Sequence, residues 1–332
     1  MDSVSQIALG AAVGVAVMGR RTALWKSAVW GAVAGTLPDL DVFIDHGDAI
    51  ANMVLHRAES HALFWLTLFS LPFAAGVARL HGEWMLRKRW WLAIWMALVT
   101  HPLLDAMTVY GTQLALPFSS RPFGVGSVFI IDPLYTLPLL LGTGITLATT
   151  RLRANTLGLV LSTAYLAWGF GAQQHVERLA RDALTRQGIL AERMLVTPSA
   201  FNTIAWRVVV MQREHYFEGF YSLLDKERTI RFDRFERGAL LEPEVSGIPG
   251  YQRLRDFSHG FYALRQQGPR VLINDLRMGQ EPAYTFSFAI AERASPAQAL
   301  AVPEQVGTRP DLGKLMPWLW RRIGGDPAPP PR

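Results

Sequence analysis

Four stretches of this chain, His61–Leu80, Trp90–Met107, Val128–Thr149 and Asn155–Ala172, are each long and apolar enough to cross a lipid bilayer, which takes about 20 mostly apolar residues. In hydrocarbon every backbone polar group must be satisfied within the segment, so such stretches fold as helices. Two weaker segments precede them. Ile7–Met18 is short and rich in Gly and Ala, and Leu24–Ile44 carries Pro38, Asp39 and Asp41 at its far end. These two read either as full spans or as a partly inserted hairpin, and their small residues allow close helix approach. A signal peptide fits poorly, because Asp2 stands where a basic region belongs and Arg20-Arg21 follow the apolar stretch.

The charges divide the chain. Residues 1–172 hold 20 Asp, Glu, Lys and Arg, whereas residues 173–332 hold 40. The expected architecture is therefore a polytopic α-helical membrane domain of about six hydrophobic helices over 1–172, followed by a smaller soluble α+β domain over 173–325. Residues 326–332, with four Pro, read as a disordered tail. In the second domain, 206–211 and 216–224 suggest a hairpin, and 229–232, 271–276 and 284–291 suggest further strands. Residues 251–267 suggest a helix. No basic block is present, so nucleic acid is not an expected partner. With six spans, one set of short loops receives nine Lys and Arg and the other only Arg57 and Arg121. The basic side should be cytoplasmic. The polar motifs and the C-terminal domain would then be extracytoplasmic in a multi-pass inner-membrane protein.

Ionisable residues at the ends of spans are expensive and are functional candidates. Here they fall at one expected membrane face: Pro38-Asp39-Leu40-Asp41, His56-Arg57-Ala58-Glu59-Ser60-His61, His101-Pro102-Leu103-Leu104-Asp105 and Asp132-Pro133. The chain has no Cys, so any metal must be held by His or carboxylate. Asp39, Asp41, His56, His61, His101 and Asp105 are the candidate ligands, enough for one zinc site or for two metals sharing a carboxylate. Asp39 and Asp41 would point one way from an extended or turn backbone, and His101 and Asp105 share a helix face. A metal there lowers the pKa of a bound water to about 7. Glu59 is a candidate base, and the Arg57 guanidinium suits a phosphate. The plainer alternatives are that Arg57 pairs with Asp39 or Asp45 and that Asp132 caps a helix.

On these residues the chain resembles a known family. The opening Met1-Asp2-Ser3-Val4-Ser5-Gln6 with Leu9-Gly10-Ala11-Ala12, then Pro38-Asp39-Leu40-Asp41, His56-Arg57 with Ser60-His61, and His101-Pro102-Leu103-Leu104-Asp105, are similar in order to the motifs of the YdjM-like proteins. Thr108–Gln113 and Ile131–Thr136 are similar to its longer members. The resemblance covers about residues 1–145. It implies an inner-membrane, metal-dependent hydrolase, phospholipase-like in its chemistry. Gln6 stands where some members have His, and Glu59 where a neutral residue is expected.

Two functions follow as expectations. One is a membrane-bound hydrolase using a divalent metal, zinc being the first choice, on a lipid or phosphoester at the bilayer surface. The other is a transporter or non-enzymatic membrane protein whose polar face binds an ion or a partner. The absence of an obvious inverted repeat counts against a transporter.

Overall fold

A computed structural model describes residues 1–293, 298–307 and 310–332. The N-terminal half is helical: α1 Ser3–Met18, α2 Leu24–Thr36, α3 Ala49–Leu55, α4 Leu63–Leu80, α5 Arg87–Ala106, α6 Pro133–Thr149 and α7 Leu152–Arg186. Strands β1 Arg193–Pro198, β2 Ala205–Met211, β3 His215–Ser222 and β4 Phe232–Glu236 follow. After α8 Glu242–Val245 and α9 Pro249–Phe257 come β5 Tyr262–Gln267, β6 Arg270–Asp275, β7 Gly279–Gln280, β8 Ala283–Tyr284, β9 Ser287–Glu292 and β10 Gln298–Gln305, and α10 Leu312–Ile323 ends the series. Two compact units form. One holds residues 1–44, 56–170 and 200–202, and the other 45–55, 171–199 and 203–332.

In the first unit α1 packs on α2, α5 and α6, and α4 packs on α5. The α1–α2 crossing is close because Gly10 and Gly14 face Gly31 and Gly35. A Cβ on Gly10 would stand 2.2 Å from the Gly31 carbonyl oxygen, and one on Gly35 would stand 2.6 Å from that of Gln6. Small residues four apart on both helices are the pattern that lets backbones touch. The outer faces are apolar: Leu68, Phe69 and Leu71 on α4, Leu137, Leu141 and Ile145 on α6, and Leu157, Val160 and Leu161 on α7 are all exposed. Among the described residues two helical stretches, Ser3–Arg21 and Leu63–Leu80, are long and apolar enough to cross a membrane, and Pro133–Thr149 is apolar but shorter. The other expected spans are less uniform. α2 stops at Thr36, α5 opens on Arg87-Lys88-Arg89, and α7 runs past Ala172 into charged sequence as far as Arg186.

The bundle has two unlike ends. At one, Arg20 donates to the Thr150 carbonyl (3.0 Å) and Lys26 pairs with Glu83 (2.8 Å). Arg79 and Arg87 lie over the Trp84 ring. At the other, Ser5 Oγ and Thr136 Oγ1 hydrogen-bond (2.5 Å). There Asp132 caps α6 by accepting from the Leu134 amide (3.1 Å), and it also accepts from the Tyr165 hydroxyl (2.8 Å). Such a cap contributes about 1 kcal/mol.

The second unit is sheet-rich. β1-β2-β3-β4 form one antiparallel sheet and β10-β9-β6-β5 another, with β7-β8 a short ribbon. The expected hairpin at 206–211 and 216–224 is β2–β3, paired Met211 to Tyr216 and Ala205 to Ser222. Every residue of β2 is buried, because alternate side chains serve two cores. Trp206, Val208 and Val210 pack with Val176, Ala180 and Ala183 of α7, while Val209 and Met211 pack with Tyr216, Phe261, Ala263, Leu276 and Tyr284. The expected helix over 251–267 is divided in two. α9 ends at Phe257, His259 and Gly260 take positive φ (53° and 82°), and the rest is β5. Gly260 permits that reversal without strain.

Residues 326–332 contain no helix or strand, yet their polar groups are engaged. Trp318 Nε1 donates to the Ala328 carbonyl (2.9 Å), and Arg332 pairs with Glu218 (2.7 Å) and Asp233 (2.6 Å). Glu218 is fully buried and also holds Arg207 (2.6 Å). A buried carboxylate needs such partners to remain charged.

Candidate metal centre

The polar end of the first unit is built from four short pieces of chain. Pro38 has no amide hydrogen, and it stands in the first turn of a new helix, where that hydrogen is not needed. α2 ends at Thr36, Leu37 keeps α dihedrals (φ -54°, ψ -41°), and Leu37–Phe43 continues as a 3₁₀ helix. At three residues per turn, side chains two apart point about 120° away from each other. This separates Asp39 from Asp41, where an extended backbone would have aimed them together. A second 3₁₀ turn, Glu59–His61, precedes α4. α5 supplies His101 and Asp105 four residues apart on one face. α1 supplies Gln6.

Asp39, His61, His101 and Asp105 converge, each offering one donor atom, all within 4.8 Å of one another. His61 Nε2 lies 3.1 Å from His101 Nε2. Asp39 Oδ1 is 3.5 Å from the first and 3.4 Å from the second. Asp105 Oδ2 is 3.3 Å and 3.5 Å from the same two nitrogens. A tetrahedral ion about 2.0–2.2 Å from each donor sets donor–donor edges of about 3.3–3.6 Å. Four of these five separations lie within that range, and the His61–His101 separation lies just below it.

The hydrogen bonds around the cluster fix the imidazoles. His101 Nδ1 donates to the Gly35 carbonyl (2.6 Å), and a carbonyl can only accept. Ser60 Oγ donates to Asp41 Oδ2 (2.5 Å) and so accepts from His61 Nδ1 (2.8 Å). Both Nδ1 atoms are thus engaged away from the cluster, so both Nε2 atoms face each other and two carboxylates. Four electron-rich atoms gathered this way call for a cation. Asp105 Oδ2 also lacks any hydrogen-bond donor, although it is fully buried. The donor set therefore fits a divalent ion.

The remaining expected ligands are placed beside the cluster. Asp41 accepts from the Arg57 amide (3.0 Å) as well as from Ser60, and its Oδ1 meets His56 Nδ1 at 2.7 Å. Asp41 and His56 thus form a pair of their own, with the His56 ring 5.9 Å from that of His61. Arg57 takes a positive φ of 70° and is buried. Its guanidinium lies over the Tyr110 ring (4.7 Å), and its Nε is 3.2 Å from Asp105 Oδ2. That approach is close enough for an ion pair but is not aligned as a hydrogen bond. Its partner is therefore neither Asp39 nor Asp45. Glu59 is exposed, with no hydrogen bond or ion pair to the four donors among the described residues.

Four further groups support the donors, and none of them is a ligand candidate by residue type. Gln6 Nε2 donates to Asp105 Oδ1 (3.1 Å) and to the His101 carbonyl (3.2 Å), and its Oε1 is a second buried atom without a partner. Ser60 tethers His61, and its place inside the His-Arg motif was the available signal. The Gly35 carbonyl leaves no side-chain signal at all. The Met1 amino group also contacts Asp105 Oδ1.

The family model described as YdjM inner membrane protein matches residues 1–176, a span containing every one of these residues. No curated protein and no solved structure matches the chain. The match covers more than half of the sequence, and the chain belongs to the YdjM inner membrane protein family.

Proposed function

We propose that this chain is a multi-pass inner-membrane hydrolase that uses a divalent metal, zinc by preference, on a lipid or phosphoester at the bilayer surface. The convergence of Asp39, His61, His101 and Asp105, with donor atoms all within 4.8 Å of one another, carries the reading. Exposed apolar faces on α4, α6 and α7 support a bilayer setting. The basic end of the bundle supports an orientation with the cluster outward.

When bound, the metal supplies Lewis acidity and an activated water at neutral pH. The chain's own groups do the rest. His56, oriented by Asp41 and partly exposed, is placed to accept and return a proton. Arg57, with a buried Nη1 that has no partner, is placed to offset charge on a phosphate. Val42, Phe43 and Ile44 are exposed directly after Asp41, an apolar border suited to a substrate held by the membrane.

One observation favours the alternative, a site that holds an ion without turnover. Four protein donors make a closed set, and catalytic sites keep a position open. Asp39 is the donor that could yield, since its side chain is 16% exposed and the other three are fully buried.

The test is elemental analysis of protein purified in detergent, wild type against His61→Ala/His101→Ala, followed by hydrolysis assays on phosphodiesters and phospholipids. About one ion per chain, lost in the double variant, with turnover lost in parallel, supports the hydrolase. Bound metal without turnover moves the reading to ion holding. A stable wild type that takes up no metal rejects both.

A further inference from the structure

A second polar site lies in the sheet-rich unit, within the described residues of that unit alone. It is a cleft of about 600 Å³ bordered by the start of β1, the end of β4, α9 and the turn into β5. Three guanidiniums, those of Arg193, Arg237 and Arg255, reach it together with His259, Glu242, Asp256 and Tyr262.

The carboxylates there are already engaged. Glu242 accepts from the hydroxyls of Tyr251 (2.5 Å) and Tyr262 (2.8 Å). Burial opposes its charge, but those two hydrogen bonds outweigh it and hold Glu242 below the usual glutamate range. Asp256 is paired with Arg255 (2.9 Å). Two guanidiniums make no ion pair among the described residues, although the charge of Arg237 also helps to hold Glu242 ionised. The Arg193 guanidinium has no ion pair or hydrogen bond among the described residues. It rests on Gly260, where a Cβ would stand 3.1 Å from Nη1, so a glycine backbone forms its seat. Arg237 lies over the Tyr262 ring (4.5 Å), and its Nη1 makes one long contact to the Arg213 carbonyl (3.4 Å). Its Nε is buried with no acceptor. A guanidinium nitrogen shielded from water without an acceptor loses hydrogen-bond energy.

We propose that this cleft binds a phosphate-bearing anion, with the phosphate held between Arg193 and Arg237. Guanidiniums match phosphate oxygens in geometry and charge. The volume exceeds a bare phosphate and lies in the range of organic-ligand sites, roughly 300–1,000 Å³. The ligand is thus an organic phosphate, either a soluble ester or a phospholipid headgroup. This inference does not depend on the metal centre.

The test uses the full chain in neutral detergent. Glycerol 3-phosphate and monomeric dihexanoylphosphatidylglycerol are titrated separately by calorimetry into wild type, Arg193→Gln, Arg193→Lys and Arg57→Gln. Binding of either probe should weaken roughly tenfold or more in Arg193→Gln, as expected for a lost charge-assisted hydrogen bond. Arg193→Lys should recover part of it, and the Arg193-dependent part of the binding should persist in Arg57→Gln, which removes only what the metal centre contributes. Because Arg193 is exposed, the thermal midpoint of Arg193→Gln should equal that of wild type. Binding of the ester identifies a soluble source, and binding of the lipid alone identifies a headgroup. Failure of both probes to bind, affinity unchanged in Arg193→Gln, or loss confined to Arg57→Gln overturns the proposal.

Discussion

Gly31→Ala tests whether the close α1–α2 crossing is what shapes the metal centre. The added Cβ would lie 2.2 Å from the Gly10 carbonyl oxygen, whereas ordinary contact begins at 3.4 Å. The three nearest atoms, Gly10 O, Gly10 C and Gly14 Cα, are all backbone, so no rotamer change relieves the clash. The helices must separate locally by about 1.2 Å, the difference between those two distances. Overpacking of this kind costs about 1–3 kcal/mol, and a radial gap of about 1 Å forfeits up to roughly half of each neighbouring dispersion contact. The helix propensity of Ala returns at most about 1 kcal/mol, so the net change is destabilising. The chemical effect reaches further. Gly35 lies one turn along α2 from Gly31, and its carbonyl fixes His101 Nδ1. The variant should therefore lose metal affinity as well as stability. Thermal unfolding followed by tryptophan fluorescence, with metal content measured on the same sample, reads both. Gly76→Ala, where a Cβ would meet nothing within 4 Å, is the control and should be neutral or slightly stabilising. A Gly31→Ala protein with wild-type midpoint and full metal occupancy would refute the reasoning.

Chelation of wild type should lower its thermal midpoint, since an ion at 100 times its Kd adds about 2.7 kcal/mol; Asp105→Asn should show no such response. Ser60→Ala removes the acceptor for His61 Nδ1 and should weaken metal binding about 10–100-fold, read by competition with a zinc indicator. Glu59→Gln should leave metal content unchanged. Asp225→Ala should destabilise the sheet-rich unit by about 3–5 kcal/mol, because Arg322, buried and bonded to Asp225 through two nitrogens, would be left uncompensated. Glu242 has a depressed pKa, so its contribution is present above its unfolded pKa and is lost as pH falls through the lower folded value. Acid unfolding of Glu242→Gln should be correspondingly less steep.

The outline of the helical half was legible because apolar length and the positions of charge report on burial directly. The four converging donors were legible as residue types near segment ends. The division of Asp39 from Asp41 was not, because it depends on the 3₁₀ helix Leu37–Phe43, and local composition does not separate that helix from an extended loop. Gln6 and the Gly35 carbonyl join the site only through the α1–α2–α5 packing, which leaves no mark in any one segment. In the sheet-rich unit the β2–β3 hairpin was plain from its β-branched run. β5 reads as helix in sequence because Tyr262–Gln267 continues the polar and apolar spacing of α9, and the left-handed residues at 259 and 260 interrupt it only in the fold. Arg193, Arg237 and Arg255 are scattered in sequence and meet only through the fold.

The two imidazoles of the metal centre differ in how each would tolerate sequence drift. His61 is aimed by the Ser60 hydroxyl, which one nucleotide change can erase. His101 is aimed by a peptide carbonyl, an atom that every residue possesses, so no side-chain replacement at position 35 removes the acceptor itself. What can be lost is its location, which depends on how tightly two glycine-bearing helices meet. Homologous chains could therefore vary the hydroxyl while preserving the small residues, and the more durable half of the centre is encoded as a shape.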